Sequence, residues 1–262
     1  MTSLRELALQ VVQQCDPLRK VALTRELVAS AAPLDTERLI PAPAGLPGRP
    51  AQPALVPHAQ LKQASLATLP GRAALIHSVA HIELNAIDLA LDIVWRFPGM
   101  PQAFYRDWMA IANEEALHFT LLRDHLVALG FDYGSFQAHN ALWEMAEATQ
   151  DDLLARLALV PRTLEARGLD ASPAVKNKLV GAGDHKVGKI LDLILRDEIG
   201  HVAAGNRWYR WVCEQRGLDP IRCYAALAQR YKAPKLRGPF NLAARRLAGF
   251  TEPELDALTA LR

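Results

Sequence analysis

Cysteine is scarce in this 262-residue chain, and Cys15, Cys213 and Cys223 stand far apart with no CxxC spacing among them. That pattern excludes a thiolate zinc module and a disulfide-dense secreted scaffold, and it predicts reduced thiols in a cytoplasmic protein. An excess of one charge is also missing. The 30 Lys and Arg nearly balance 28 Asp and Glu, so a formal net charge of +2 provides no overall field for nucleic acid or membrane. No run approaches the ~20 uninterrupted apolar residues of a membrane span, so no membrane partner is expected. The opening MTSLRELALQVVQQCDPLRK mixes acids and amides into its apolar pattern and is not read as a signal peptide. Alternating β patterns are nearly absent from the centre. Walker, Rossmann and serine-elbow chemistries therefore lack the strands they require.

What is present is helical. Half the residues are apolar and 22% are charged, enough to bury a sizeable core. Residues 2–31 place Leu4, Leu7, Val11 and Leu18 at helical intervals. Six prolines between Pro41 and Pro57 then impose an extended surface segment. From Arg72 to Gly217 helical periodicity dominates. It is cut at Phe97–Pro101, Gly130–Gly134, Gly168–Pro173, Gly181–Asp184 and Gly217–Pro220. The breaks leave four principal helices, plus a short piece or kinked continuation over 173–180. The expected organisation is an all-α chain: an N-terminal helical and Pro-rich region over 1–70, a four-helix bundle over 71–217, and a C-terminal helical extension over 218–262.

Two short stretches carry chemistry. NEEALH (Asn113–His118) and RDEIGH (Arg196–His201) each place a glutamate three residues before a histidine, on one helical face. Glu115 and His118 share their face with Trp108, Ile111, Ala112, Phe119 and Leu122; Glu198 and His201 share theirs with Leu191, Ile194, Leu195 and Val202. Carboxylates inside apolar stripes are costly unless paired or bound to metal. Glu83 stands on a third apolar stripe, with Ile76, Val79, Ala80, Ile87 and Ala90. It lies 32 residues before Glu115, and their midpoint, residue 99, falls in the PGMP turn, so antiparallel helices would bring them level. Counting back from Glu198 through the Gly181–Gly183 break reaches Glu165. Its face is apolar at Ala158, Pro161 and Leu169 but carries Arg162. Glu144 and Glu147 compete through the break near Pro173, and Glu144 sits on a wetter face with Gln137, Asn140 and Asp151. Glu165 is favoured. The outcome is two half-sites, Glu…Glu-x-x-His: Glu83, Glu115, His118 and Glu165, Glu198, His201. Four carboxylates and two imidazoles are the donor set of a dinuclear iron or manganese centre in a bundle core.

At these residues the chain resembles the ferritin-like superfamily of diiron carboxylate proteins. More closely it resembles the bacterial ferritin-like family catalogued as domain of unknown function 455. The likeness is carried by HIELNAIDLALD (His81–Asp92), EEALHF (Glu114–Phe119), RTLEARGLD (Arg162–Asp170), RDEIGHVAAGNRWYRW (Arg196–Trp211) and KLRGPFNLAARRLAGF (Lys235–Phe250). It implies a ferritin-like four-helix bundle with helical extensions at both ends. LEAR (Leu164–Arg167) is also similar to the third-helix glutamate motif of diiron tRNA hydroxylases, which supports Glu165 as a ligand. In related oxygenases an acid preceding the ExxH glutamate hydrogen-bonds a ligand histidine. Asp197 and Glu114 hold that position here, and the resemblance implies this supporting role for them.

The function expected is that of a non-haem dimetal protein with two iron ions, or manganese, or a mixed iron–manganese pair. It would act as an oxidoreductase on dioxygen and a small-molecule substrate, with an electron-donor protein as a candidate partner. Non-catalytic iron handling is the alternative, and tRNA hydroxylation a weaker one. No catalytic group beyond the ligands is assigned. His81 points away from Glu83 and reads as a polar contact; His125, Trp208 and Tyr209 read as core; Asp184 reads as an N-cap. Seven basic residues between Pro220 and Thr251 (Arg222, Arg230, Lys232, Lys235, Arg237, Arg245, Arg246) read as a solvated face, with RNA contact as the lesser alternative.

Overall fold

The computed structural model describes residues 2–61 and 64–260. It is all-helical, and no β-strand occurs among the described residues. The chain divides into two compact units, residues 1–143 and 144–262.

The first unit opens with α1 (Leu4–Gln13), started by a capping box: the Ser3 hydroxyl accepts from the Glu6 amide, and Glu6 accepts from the Ser3 amide. In α2 (Pro17–Ala29), Asp16 caps the start and Pro17 holds the first position, where its missing N–H costs nothing. Two long helices follow, α3 (Leu69–Arg96) and α4 (Gln102–Ala128). The chain reverses between them at Gly99, whose positive φ of 76° suits glycine. Turn carbonyls and amides are tied down by Tyr105, whose hydroxyl donates to Phe97 O at 2.8 Å and accepts from the Met100 amide. α1 packs on α3, and α2 on α4.

Arg5 of α1 closes the end of α3. Its buried guanidinium donates to Val94 O at 3.1 Å and Trp95 O at 2.7 Å, carbonyls of the last turn that have no helical donor. α3 is long and apolar enough by composition to cross a membrane, yet 72% of that window is already buried against protein. The Pro-rich segment lies along α1: the Gly48 amide donates to Val12 O at 2.8 Å, and a Cβ at residue 48 would collide with the Gln13 carbonyl. It ends in an isolated parallel bridge between Leu55 and Ala138.

The second unit begins within α5 (Ala141–Ala148) and continues through α6 (Leu153–Leu159), a π-helical turn (Val160–Glu165), α7 (Ala166–Gly181) and α8 (His185–Gln215). The third principal helix of the sequence reading is thus broken into segments. Pro161 has no N–H for the Leu157 carbonyl four residues back, and beside it the Thr163 hydroxyl donates to Ala158 O, five residues back, at 2.8 Å. The break expected over 168–173 does not occur, because α7 runs straight through Pro173. Proline there deprives the Leu169 carbonyl of its helical donor, and the Asn241 side-chain amide supplies one at 3.2 Å. Asp184 caps α8 as expected, accepting from the Val187 amide. α8 passes the π turn at Gly205, where a Cβ would strike Pro161.

α9 (Pro220–Arg230), α10 (Leu242–Leu247) and α11 (Glu252–Ala260) complete this unit. Ala244, Ala248, Phe250 and Leu255 pack with Ala166 and Leu169 of α7 and Val202 of α8. Two buried arginines fasten the same region. Arg162 donates to Asn206 and to Glu254, with its guanidinium carbon 4.7 Å from the Phe250 ring centre. Arg245 pairs with Asp170 at 2.7 Å. Of the seven basic residues along this stretch, then, Arg245 is a core group, and Arg246 pairs with Glu252 on the surface.

Candidate metal centre

Helical periodicity on α3 and α4, and the turn between them, decide the first half-site. Glu83 of α3 and Glu115 and His118 of α4 are brought together in the first unit at 3%, 1% and 0% exposure. Each offers a ligand atom, and these atoms lie within 4.8 Å of one another. His118 Nδ1 is 3.1 Å from Glu83 Oε2 and 3.4 Å from Glu115 Oε2, so a proton on that nitrogen is shared by two carboxylates. Two buried acids on one imidazole leave an excess of negative charge where water cannot screen it. Burial by itself lowers the His118 pKa, but hydrogen bonds and attraction from Glu115 and Glu83 outweigh it and push it up to about 11. A proton thereby does what a divalent cation would do better.

Two histidines on another face of α3 behave in the opposite way. The His77 ring accepts from the Gly134 amide at Nε2 and stacks on Tyr133, 5.2 Å between ring centres. His81 lies 2.8 Å from the Tyr133 hydroxyl through Nδ1 and 3.0 Å from His139 O through Nε2, matching the expected polar contact. No carboxylate is among the forces on either, and burial lowers both to about 4. Three buried imidazoles of one helical hairpin are therefore set apart by the presence or absence of acids. Next to His81, Lys20 and Asp88 form a 2.5 Å ion pair, buried at 2% and 6% exposure, on the wall of a cavity of about 60 Å³.

The second unit holds the other sequence-predicted residues. Glu198 and His201, 8% and 1% exposed, project from one face of α8, with His201 Nδ1 at 3.7 Å from Glu198 Oε1. Glu165 is the last residue of the π turn, half-buried, in a turn that packs on α8. Its competitors Glu144 and Glu147 are exposed on α5. Asp197 is half-buried and accepts from Arg196, whereas Glu114 is exposed on α4. The face around Glu165 looked mixed in sequence because of Arg162. That arginine is spent on Glu254, 92 residues away, and no local signal could have named such a partner.

An all-helical protein with a buried carboxylate–imidazole cluster able to hold a metal ion is the class that these features define. The chain belongs to the family described as protein of unknown function (DUF455), whose sequence pattern matches residues 13–256. It is 48% identical over 214 residues to a protein of Haemophilus influenzae (strain ATCC 51907 / DSM 11121 / KW20 / Rd) described as "Uncharacterized protein", a match covering 79% of this chain and 74% of that one. No solved structure matches the chain.

Proposed function

We propose that this protein is a non-haem dimetal carboxylate protein, with iron the favoured metal, that uses dioxygen to oxidise or hydroxylate a small substrate. The supporting observation is the trio Glu83, Glu115 and His118, two buried acids and an imidazole with ligand atoms within 4.8 Å. Oxygen donors with one imidazole suit Fe(II) or Mn(II), and a mixed pair of the two, better than a structural zinc site. The donor set fits such an ion on physical grounds, because a divalent cation would neutralise the two carboxylates that now share a single proton.

In this reading Glu83, Glu115 and His118 hold one ion, and Glu165, Glu198 and His201 the other, as in a ferritin-like four-helix bundle. The second half rests on the repeated ExxH and the resemblance of LEAR. Bound Fe(II) would supply electrons for dioxygen reduction. His118 must give up its proton before its nitrogen can ligate, so loading releases protons and tightens as pH rises. The apolar neighbours Trp108, Ala112, Phe119 and Leu122, all 1% exposed or less, keep water from the trio.

Anaerobic Fe(II) titration by calorimetry tests the reading, followed by admission of oxygen with an oxygen electrode. About two ions per chain and oxygen uptake are expected. Binding without uptake would leave a non-catalytic iron-handling protein. Absence of stoichiometric binding, or Glu115→Ala and His201→Ala variants that bind as well as the parent, would overturn the site.

A further inference from the structure

The far end of α8 holds a second reactive cluster, independent of the metal reading. Cys213 lies within the last turn of α8, fully buried, and Cys223 lies in the first turn of α9, half-buried. The connection between them is a tight reversal. The Leu218 amide donates to Cys213 O at 2.9 Å, and the Cys223 amide to Asp219 O at 2.9 Å. Tyr209 pins the start of α9 against α8, its hydroxyl donating to Pro220 O at 2.7 Å. Cys213 interacts electrostatically with both Tyr209 and Cys223, and Tyr209 with both thiols. The chain's remaining cysteine, Cys15, is exposed on the other unit.

We propose that Cys213 and Cys223 are a thiol pair that a hydroperoxide converts to a reversible disulfide across the α8–α9 turn. A disulfide requires Cβ atoms about 3.8 Å apart, and the Tyr209–Pro220 hydrogen bond holds the last turn of α8 and the first turn of α9, which carry the two cysteines, against each other. Reactivity divides between the two. Burial pushes the Cys213 thiol up to about 11, opposed in part by Tyr209 and the nearby Arg162, so Cys213 is the resolving partner. Cys223 is the one open to a small oxidant.

The Cys223 thiolate attacks one oxygen of the hydroperoxide; an S–O bond forms, the O–O bond breaks, and the other oxygen leaves as water or alcohol with a proton. The Cys213 sulfur then attacks that sulfenic sulfur. The S–S bond forms, the S–O bond breaks, and water departs with the Cys213 proton. Two thiols are oxidised and one hydroperoxide is reduced. Exchange with a small thiol restores the pair. The bond would brace the α8–α9 turn beside Tyr209, whose ring centre lies 5.1 Å from the Arg162 guanidinium carbon of the π turn.

Hydrogen peroxide, added to the folded full-length chain, is the probe, with thiol counting and non-reducing peptide mapping as readouts. The expected result is a fall from three free thiols to one, a mass loss of about 2 Da in a linked Cys213–Cys223 peptide, and recovery with dithiothreitol. Cys223→Ser is expected to keep the Cys213 thiol and form no link, and Cys15→Ser to form it normally. Three outcomes would each overturn the proposal: a sulfinic acid on Cys223 with the Cys213 thiol intact, links that involve Cys15, or a Cys213–Cys223 link that forms as fast in the guanidinium-unfolded chain as in the folded one.

Discussion

Acidification from pH 7.5 to 5 is expected to cost this protein about 4 kcal/mol of stability through His77 and His81 alone. Both rings are buried, and burial lowers each from the usual 6.5 to about 4. The folded chain therefore resists a proton that the unfolded chain accepts freely. Well above pH 6.5 neither state is protonated at these rings and they contribute almost nothing. Below it, stability falls with pH until the folded rings themselves titrate near 4. At pH 5 the unfolded imidazole is almost fully protonated and the folded one about a tenth so, which amounts to about 2 kcal/mol per ring.

His118 works in the opposite direction over the top of that range. Its folded pKa is raised to about 11, so its contribution is complete below the unfolded value of 6.5 and is lost steadily above it; acidification from pH 7.5 restores about 1 kcal/mol of it. Burial likewise raises Asp88 to about 6, which favours the folded chain as pH falls. Urea unfolding at pH 7.5, 6 and 5 therefore gives the net change, provided the m-value stays constant. A His77→Gln variant, whose amide oxygen can still accept from the Gly134 amide, isolates one ring and is expected to lose about 2 kcal/mol less than the parent over this range. If His77 or His81 titrates near 6.5 by NMR, or if His77→Gln leaves the loss unchanged, burial does not set these rings.

Two further perturbations test the second unit. Asp197→Asn is expected to weaken Fe(II) affinity by about 10- to 100-fold if Asp197 orients a ligand histidine, and unchanged calorimetric affinity would sink that role. Arg162→Ala would remove the buried partner of Glu254 Oε1 and Asn206 Oδ1 and is expected to cost about 3–5 kcal/mol, lowering Tm by roughly 10 °C in a chain of this size. A change within 1 kcal/mol by calorimetric or urea unfolding would mean that Arg210, which also donates to Glu254, suffices alone.

The sequence by itself determined the long helices α3, α4 and α8 and the meeting of Glu83, Glu115 and His118. A helix is closed by hydrogen bonds four residues apart, so Asp184 announces the start of α8 and the PGMP turn announces the end of α3. The same periodicity places Glu115 with His118, and equal distances from residue 99 bring Glu83 level with Glu115. Tertiary structure decided what those local rules leave open. α7 continues through Pro173 only because Asn241, far along the chain, donates to the Leu169 carbonyl. Arg162 looked like a wet spot beside Glu165 and became a core group because Glu254 and Asn206 reach it. His77, His81 and His118 are indistinguishable as letters, yet one is raised because carboxylates face it and two are lowered because burial acts on them without any. Local hydrogen bonding is encoded within a few residues, whereas the partner of a buried charge is chosen by packing between segments that the sequence holds far apart.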